Sequence, residues 1–255
     1  MMRHIPASSL YVSTPTSWLE SRFHFSFAEY YSPKNMDFGV LRVLNDDLVK
    51  PHSGFDTHPH KDMEIFTYVV EGELTHKDSM GTAETLGRGS VQYMSAGRGI
   101  THSEKNNSTN KKVRFLQIWI KPNQSGLTPN YGSRVFSKED RHNKIHHVAT
   151  TYDGHNGAAP LHEDIGEGII PIHQDVNIYI SEPDADVEQE FVLQRKRQAY
   201  LVCIEGALSV NRSYELQARD ALEIKADTKS PLHLKLKAQQ QKGAHFLLIE
   251  MAARK

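Results

Sequence analysis

Apolar and polar residues alternate with period two over short runs along most of this chain. In Arg22 to Phe27, three phenylalanines (Phe23, Phe25, Phe27) fall on one face of an extended segment, the pattern of a half-buried strand. Similar runs at 38–44, 64–70, 73–77, 90–95 and 113–120 predict further strands. They are separated by the turn signals Glu71-Gly72, Gly87-Arg88-Gly89 and Ala96-Gly97-Arg98-Gly99. The pattern resumes at 176–180, 190–193, 199–204, 207–210, 221–224, 232–236 and 244–251. Helical signals are confined to Ser17-Trp18-Leu19-Glu20 and to Ser137-Lys138-Glu139-Asp140, which has the spacing of an N-cap with an acidic residue three positions on. Short strands at this spacing predict an all-β chain of barrels or sandwiches.

The halves resemble each other. Val70-Glu71-Gly72-Glu73-Leu74 recurs as Ile204-Glu205-Gly206-Ala207-Leu208, and the turn and strand at 87–92 answer to those at 217–222. Two copies of one β module follow from this repeat, with each glycine read as a hairpin turn. Residues 141–168 hold five histidines, four glycines and Pro160 without sustained pattern. They divide the chain into a domain at 1–140, a linker and loop at 141–168, and a domain at 169–255.

Composition narrows the function. Thirty Lys plus Arg against 31 Asp plus Glu leave no global field to attract nucleic acid or anionic lipid. No apolar run approaches the roughly 18 residues of a membrane helix, and the opening residues show no secretory signal. The single cysteine, Cys203, excludes an intramolecular disulfide. A cytoplasmic protein is expected, in which the Asn-x-Ser/Thr matches at Asn106, Asn107, Asn123 and Asn211 are chance. The dense basic stretches, Lys111-Lys112 and Arg195-Lys196-Arg197, read as solvated faces. Gly97-x-Gly99-x-x-His102 stops short of a dinucleotide fingerprint, because a strand and not a helix follows.

The unusual count is histidine, at 15. In an extended segment i and i+2 share a face, so His58 and His60 of Gly54-Phe-Asp-Thr-His58-Pro-His60 project together, as do His102 and Glu104. Imidazole and carboxylate suit first-row metals, and two such strands side by side would form a four-ligand site with open positions. His76, beyond the turn at Gly72, reads as surface. The histidines at 142, 146, 147, 155 and 162 lack a regular ligand spacing.

The runs His58-Pro-His60-Lys-Asp-Met-Glu64, Thr67-Tyr-Val-Val-Glu-Gly72, His76-Lys-Asp78-Ser-Met-Gly81 and Met94-Ser-Ala-Gly97-Arg-Gly99-Ile-Thr-His102-Ser-Glu104 resemble the pirin family of the cupin superfamily. Gln117-Ile-Trp119-Ile and Gly126-Leu-Thr-Pro129-Asn-Tyr131 extend the likeness, which covers about residues 54 to 132. Within the family the chain resembles the bacterial bicupins with quercetinase activity. The resemblance implies two jelly-roll-like cupin β-barrels packed against each other, with one metal site in the N-terminal barrel. Its implied ligands are His58, His60, His102 and Glu104, and its implied ion is divalent, Fe(II) first, with Ni, Mn, Cu, Zn or Co accepted by the same ligands. Many cupins take their carboxylate from the position of Glu64; here Glu104 is expected instead, with Glu64 structural.

Aligning Gly206 on Gly72 puts Val192, Gln194 and Gln198 at the places of His58, His60 and Glu64, and His233 near that of His102. None of the first three is a good ligand, so the second barrel is expected to be metal-free. The implied reaction is cleavage of a flavonol such as quercetin with O2 and release of carbon monoxide, with Glu104 as the base. Phe38, Phe55, Met94 and Phe115 are candidates to line the pocket. The alternative reading is a metal- or redox-dependent regulator that binds a transcription factor or a metabolic enzyme. Neither reading involves nucleic acid directly or a membrane.

Overall fold

A computed structural model describes residues 1–151, 168–227, 229–239 and 243–253. Strand β1 is Met2–Ile5, followed by a short 3-10 turn at Ala7–Ser9. Then come β2 (Tyr11–Thr16), β3 (Leu19–Phe23), β4 (Leu41–Val49), β5 (Ser53–His60), β6 (Glu64–Glu71) and β7 (Leu74–Asp78). They are followed by β8 (Ala83–Leu86), β9 (Ser90–Ser95), β10 (Ile100–Asn106), β11 (Val113–Ile120) and β12 (Asn130–Val135). After the helix α1 (Lys138–Arg141), the strands are β13 (His146–Thr151), β14 (Ile170–Ile172), β15 (Val176–Ser181), β16 (Glu188–Leu193) and β17 (Arg197–Val210). The last four are β18 (Tyr214–Gln217), β19 (Ala221–Lys225), β20 (Leu232–Ala238) and β21 (Ala244–Ala252). The all-β expectation therefore holds.

The chain divides into two compact units, residues 11–136 and residues 1–10 with 137–255. This differs from the expected boundary. β1 pairs with β19, and Ala7 N–H donates to Asp220 Oδ1 at 2.7 Å, so the first ten residues belong to the second unit. A four-residue strand is too short to show a period. Part of the expected linker is ordered structure, since β13 pairs with β15; residues 152–167 lie outside the described residues.

Unit 11–136 has a seven-stranded sheet, β12-β9-β6-β11-β4-β3-β2, and a four-stranded sheet, β5-β10-β7-β8. Val69, Val113 and Phe115 of the first sheet pack with Leu74, Leu86 and Phe55 of the second. In the other unit Leu193, Leu201, Leu216, Leu234, Phe246 and Leu248 belong to one apolar core.

The two repeat glycines are corners and not hairpins. β6 pairs with β9 and β11, whereas β7 pairs with β8 and β10. The chain therefore changes sheet at Gly72. At Gly206 the single long strand β17 makes the same change, from β19 and β21 to β18 and β20. Both glycines have positive φ, 76° and 73°. A Cβ would lie 2.4 Å from the Lys112 carbonyl oxygen at Gly72 and 2.2 Å from that of Gly243 at Gly206, so glycine is required twice for one reason.

Two local expectations are corrected. Ser17 and Trp18 form the two-residue turn joining β2 and β3, with Thr16 opposite Leu19, and no helix. The strand expected at 22–27 ends at Phe23, because His24 and Ser26 turn in to bond with Asn35. Ser137 does cap α1: its hydroxyl accepts from Asp140 N–H, and the Asp140 carboxylate accepts from Ser137 N–H.

Candidate metal centre

β10 lies between β5 and β7, and its even-numbered residues, Ile100, His102, Glu104 and Asn106, are all buried. The register sets His102 directly opposite His58, Thr101 opposite Pro59 and Ile100 opposite His60. Between His102 and Glu104 the register slips, so that Phe55 faces Glu104 and the extra residue of β5 forms a bulge. Bulges re-aim side chains; this one keeps His58 and His60 together on one side and hands the place beside Glu104 to Phe55.

Ligand atoms of His58, His60 and His102 all lie within 4.8 Å of one another. His58 Nδ1 is 2.7 Å from the Asp56 carbonyl oxygen. A carbonyl only accepts, so His58 donates from Nδ1, which leaves Nε2 as the nitrogen that can meet a metal. That Nε2 faces His102 Nε2 at 3.1 Å. Burial first, then the neighbouring imidazoles, lowers both His60 and His102 to about 3, with Glu104 and Asp78 respectively opposing the shift. Both rings are therefore neutral at ordinary pH. Two nitrogens bound at about 2.1 Å to one ion at a right angle would stand about 3.0 Å apart. Neutral, convergent imidazoles at this spacing fit a divalent metal ion.

Glu104 stands apart from this cluster. Its Oε1 accepts from Thr67 Oγ1 at 3.1 Å and from Gln92 Nε2 at 3.0 Å, and its Oε2 accepts from Gln117 Nε2 at 2.9 Å. These donors come from the facing sheet, where Gln92, Thr67, Gln117 and Asn45 are aligned in one cross-strand row over β9, β6, β11 and β4. All four are buried. The next row, Met94, Ile65, Trp119 and Val43, is apolar apart from the indole nitrogen. Trp119 Nε1, Gln92 Oε1 and Asn45 Oδ1 are buried without a partner among the described residues. This row is not among the residues singled out from the sequence, because each of the four strands contributes to it a single polar residue and only the register aligns them.

Glu64 does not join the histidines. It lies on the seven-stranded sheet, on the face opposite to Thr67, and accepts from Tyr93 Oη at 2.5 Å and Ser95 Oγ at 2.6 Å. His76 is the clear correction: it is 0% exposed, and its Nδ1 is 3.4 Å from His102 Nδ1. The error follows from reading Gly72 as a hairpin, since a sheet-changing corner carries β7 to the side of β10. Its Nε2 is 3.0 Å from Asp78 Oδ2, and Tyr131 stacks on its ring at 4.3 Å. Burial raises the Asp78 carboxyl, but hydrogen bonds from His76 and from Thr82 and Met80 N–H bring it below its ordinary value.

Trp119 meets His60 edge-on at 4.8 Å and packs with Met94 and Ile100. Of the expected lining residues, Met94 packs in the cluster that holds Trp119, Phe55 and Phe115 are in the apolar core, and Phe38 is buried next to Leu41. An open cavity of about 550 Å³, lined by Pro59, His60, Lys61, Ser79, Gly99, Ile100 and Thr101, leads to His60. Lys111 and Lys112 share a groove with Glu71 and Glu73, and Arg197 is paired with Asp175 and Glu250.

In the other unit Val192 is opposite His233, in the place of the His58–His102 pair. There, however, Leu193 and Leu234 are buried while Val192 and His233 are exposed. A one-residue change of phase sends every side chain to the other face, and the interior positions are apolar.

Residues 7–120 match the family described as Pirin, and residues 162–251 match the Quercetinase C-terminal cupin domain. The chain is 40% identical over 208 residues to a Pirin-like protein of Caulobacter vibrioides, covering 82% of this chain and 84% of that one. It is 39% identical over 194 residues to the Quercetin 2,3-dioxygenase of Escherichia coli K12, covering 76% and 78%. Among solved structures, the bacterial pirin YhhW of Escherichia coli in complex with nickel(II) superposes with a TM-score of 0.86 at 32% identity, over all of both chains.

Proposed function

The chain belongs to the pirin family, and on that premise we propose that it is a metal-dependent dioxygenase that cleaves flavonols such as quercetin with O2. The observation that carries this reading is the convergence of three imidazoles, His58, His60 and His102, whose ligand atoms lie within 4.8 Å of one another. The names and the bound nickel of the relatives support it. In this reading the three histidines and Glu104 hold the ion, Fe(II) in the first place, since the same ligands accept several metals. When bound, the ion supplies Lewis acidity toward a chelating 3-hydroxyl and 4-carbonyl pair and a redox path to O2.

The chain's own residues do the remainder. Glu104 takes the proton of the flavonol 3-hydroxyl. The amides of Gln92 and Gln117 orient its carboxylate, each donating one N–H. Trp119, Met94 and Ile100 form an apolar wall that excludes water from the reacting ring. Both atoms of O2 enter the ring-opened depside, and the carbon that bore the 3-hydroxyl leaves as carbon monoxide. No helix among the described residues is long and apolar enough to cross a membrane; the cytoplasmic location that we propose rests on the sequence, with its single cysteine.

The test is oxygen uptake and carbon monoxide release with quercetin, using metal-free protein reloaded separately with Fe(II), Mn(II), Ni(II), Cu(II), Co(II) or Zn(II). Turnover with a redox-capable ion that is lost in His60→Ala and Glu104→Ala is expected. Undiminished turnover in both variants, or none with any ion, would sink the proposal.

A further inference from the structure

We infer that Asp78 and His76 form a hydrogen-bond relay that fixes the tautomer of His102 and thereby keeps its Nε2 lone pair aimed at the metal site. The inference rests on the metal-site reading above and assigns positioning roles to two residues outside the ligand set. The Asp78 and His76 side chains are both fully buried, so neither has water as an alternative partner. A carboxylate is an acceptor only. Asp78 Oδ1 already accepts Met80 N–H at 2.9 Å and Thr82 N–H at 3.1 Å, which leaves Oδ2 for His76 Nε2 at 3.0 Å. His76 therefore donates from Nε2.

A neutral imidazole has one donor and one acceptor nitrogen. With Nε2 protonated, His76 Nδ1 is an acceptor, and it faces His102 Nδ1 at 3.4 Å. His102 then donates from Nδ1, and its Nε2 is the bare nitrogen, directed at His58 Nε2. The relay takes His76 as a neutral ring, and it starts at a carboxylate whose orientation is pinned by two backbone N–H groups. His58 reaches the same state by a different route, through the Asp56 carbonyl. Tyr131, stacked on His76 and hydrogen-bonded to Glu84, keeps the ring in plane with the relay. The relay depends on the corner at Gly72, which carries β7 to the side of β10.

Asp78→Asn is the sharpest variant because it replaces one acceptor oxygen by a donor without altering shape. Its Oδ1 would continue to accept from Met80 and Thr82, so the amide N–H₂ would face His76 Nε2 and force that nitrogen to accept. His76 would then donate from Nδ1, His102 Nδ1 would accept, and His102 would carry its proton on Nε2, where it blocks metal. Groups that orient metal-bound histidines are typically worth about 10–100-fold in affinity. We expect that loss in the Ni(II) affinity of Asp78→Asn, measured by chelator competition, with thermal stability of the metal-free protein near that of wild type. His76→Phe, which keeps the stacked ring but removes the acceptor, should lose a similar factor. His76→Asn, whose Oδ1 replaces Nδ1, should keep most of the affinity. The tautomer of His102 is read directly from ring ¹⁵N shifts in metal-free wild-type protein, where an Nδ1-protonated ring is expected. An Nε2-protonated His102, or unchanged Ni(II) affinity in both Asp78→Asn and His76→Phe, would overturn the relay. Failure of the wild type to bind Ni(II) would instead count against the metal-site reading, and the His102 tautomer would still decide the relay.

Discussion

Gln117 on β11 donates its amide N–H to the Glu104 carboxylate at 2.9 Å, joining the two sheets of unit 11–136 through a charged hydrogen bond in a buried setting. A hydrogen bond to an ionised group is worth about 1.5–3 kcal/mol. Gln117→Leu should therefore destabilise this unit by about that amount, read from denaturant unfolding. Glu104→Leu with Gln117→Leu should cost less than the sum of the single changes, because the second no longer strands a carboxylate. Additive costs would show that the two side chains are not coupled.

The three imidazoles lead to a prediction about stability that needs no substrate. The Nε2 atoms of His58 and His102 face each other at 3.1 Å, a spacing that a cation between them would bridge. Ligand binding to the folded state alone adds about 2.7 kcal/mol at a free concentration one hundred times the Kd. Adding Ni(II) or Co(II) to metal-free protein should raise the melting temperature of this unit by several degrees, and His58→Ala should abolish the rise. An equal rise in that variant would place the stabilising ion elsewhere.

Much of this arrangement is legible in the sequence. His58, His60 and His102 stand out because an i, i+2 pair on one strand and a third histidine on another need only neighbouring strands to meet. The path of the chain through Gly72 is not legible. A glycine between two apolar runs reads equally as a hairpin or as a change of sheet, and the difference decides whether His76 faces solvent or His102. The row of Gln92, Thr67, Gln117 and Asn45 is hidden for a related reason, since each is a single polar residue in a different strand and only the register aligns them. β1 escapes notice because four residues carry no period and their partner, β19, is more than 200 positions away.

Acid sensitivity should reveal a compensated pair in the same unit. Burial lowers His24 to about 4, against a slight opposing effect of Asp46. As pH falls below 6.5 the unfolded chain takes that proton first, so stability is lost between 6.5 and about 4. Burial raises Asp47 to about 7, with the Ser21 hydrogen bond opposing and Asp46 and Glu104 adding to it. The folded state holds this proton while the unfolded state has released it, so Asp47 favours folding at low pH and the benefit is lost as pH rises from about 4 through 7. The two slopes oppose each other over pH 4 to 6.5. Asp47→Asn removes one, and its stability should fall on acidification by about 1.4 kcal/mol per pH unit more steeply than that of wild type. Parallel curves for the two proteins would refute the compensation.

The corner glycines predict equal damage at two distant places. Gly72→Ala and Gly206→Ala each force a Cβ to within 2.4 Å of a carbonyl oxygen at a positive φ. The strained backbone alone is worth about 1–3 kcal/mol, and each change should lower the stability of its own unit by at least that much. Gly126→Ala, also at positive φ but with nothing within 4 Å, should cost less. Equal costs at all three positions would mean that the close approach is irrelevant.

One ion per chain is the expected stoichiometry, and the second unit supplies the reason. Its counterpart of the His58–His102 pair, Val192 with His233, points outward. The inward positions on those two strands, Leu193, Leu234 and Leu236, belong to an apolar core that also contains Leu201, Leu208 and Phe246. A metal there would have no nitrogen or carboxylate ligand and would displace close-packed side chains. Elemental analysis of protein loaded with Ni(II) and then dialysed to remove weakly held ion should give one equivalent for wild type. His60→Ala with His102→Ala should retain none. A tightly held equivalent that survives this double change would require a second site, and the outward-facing His233 would be the first residue to replace.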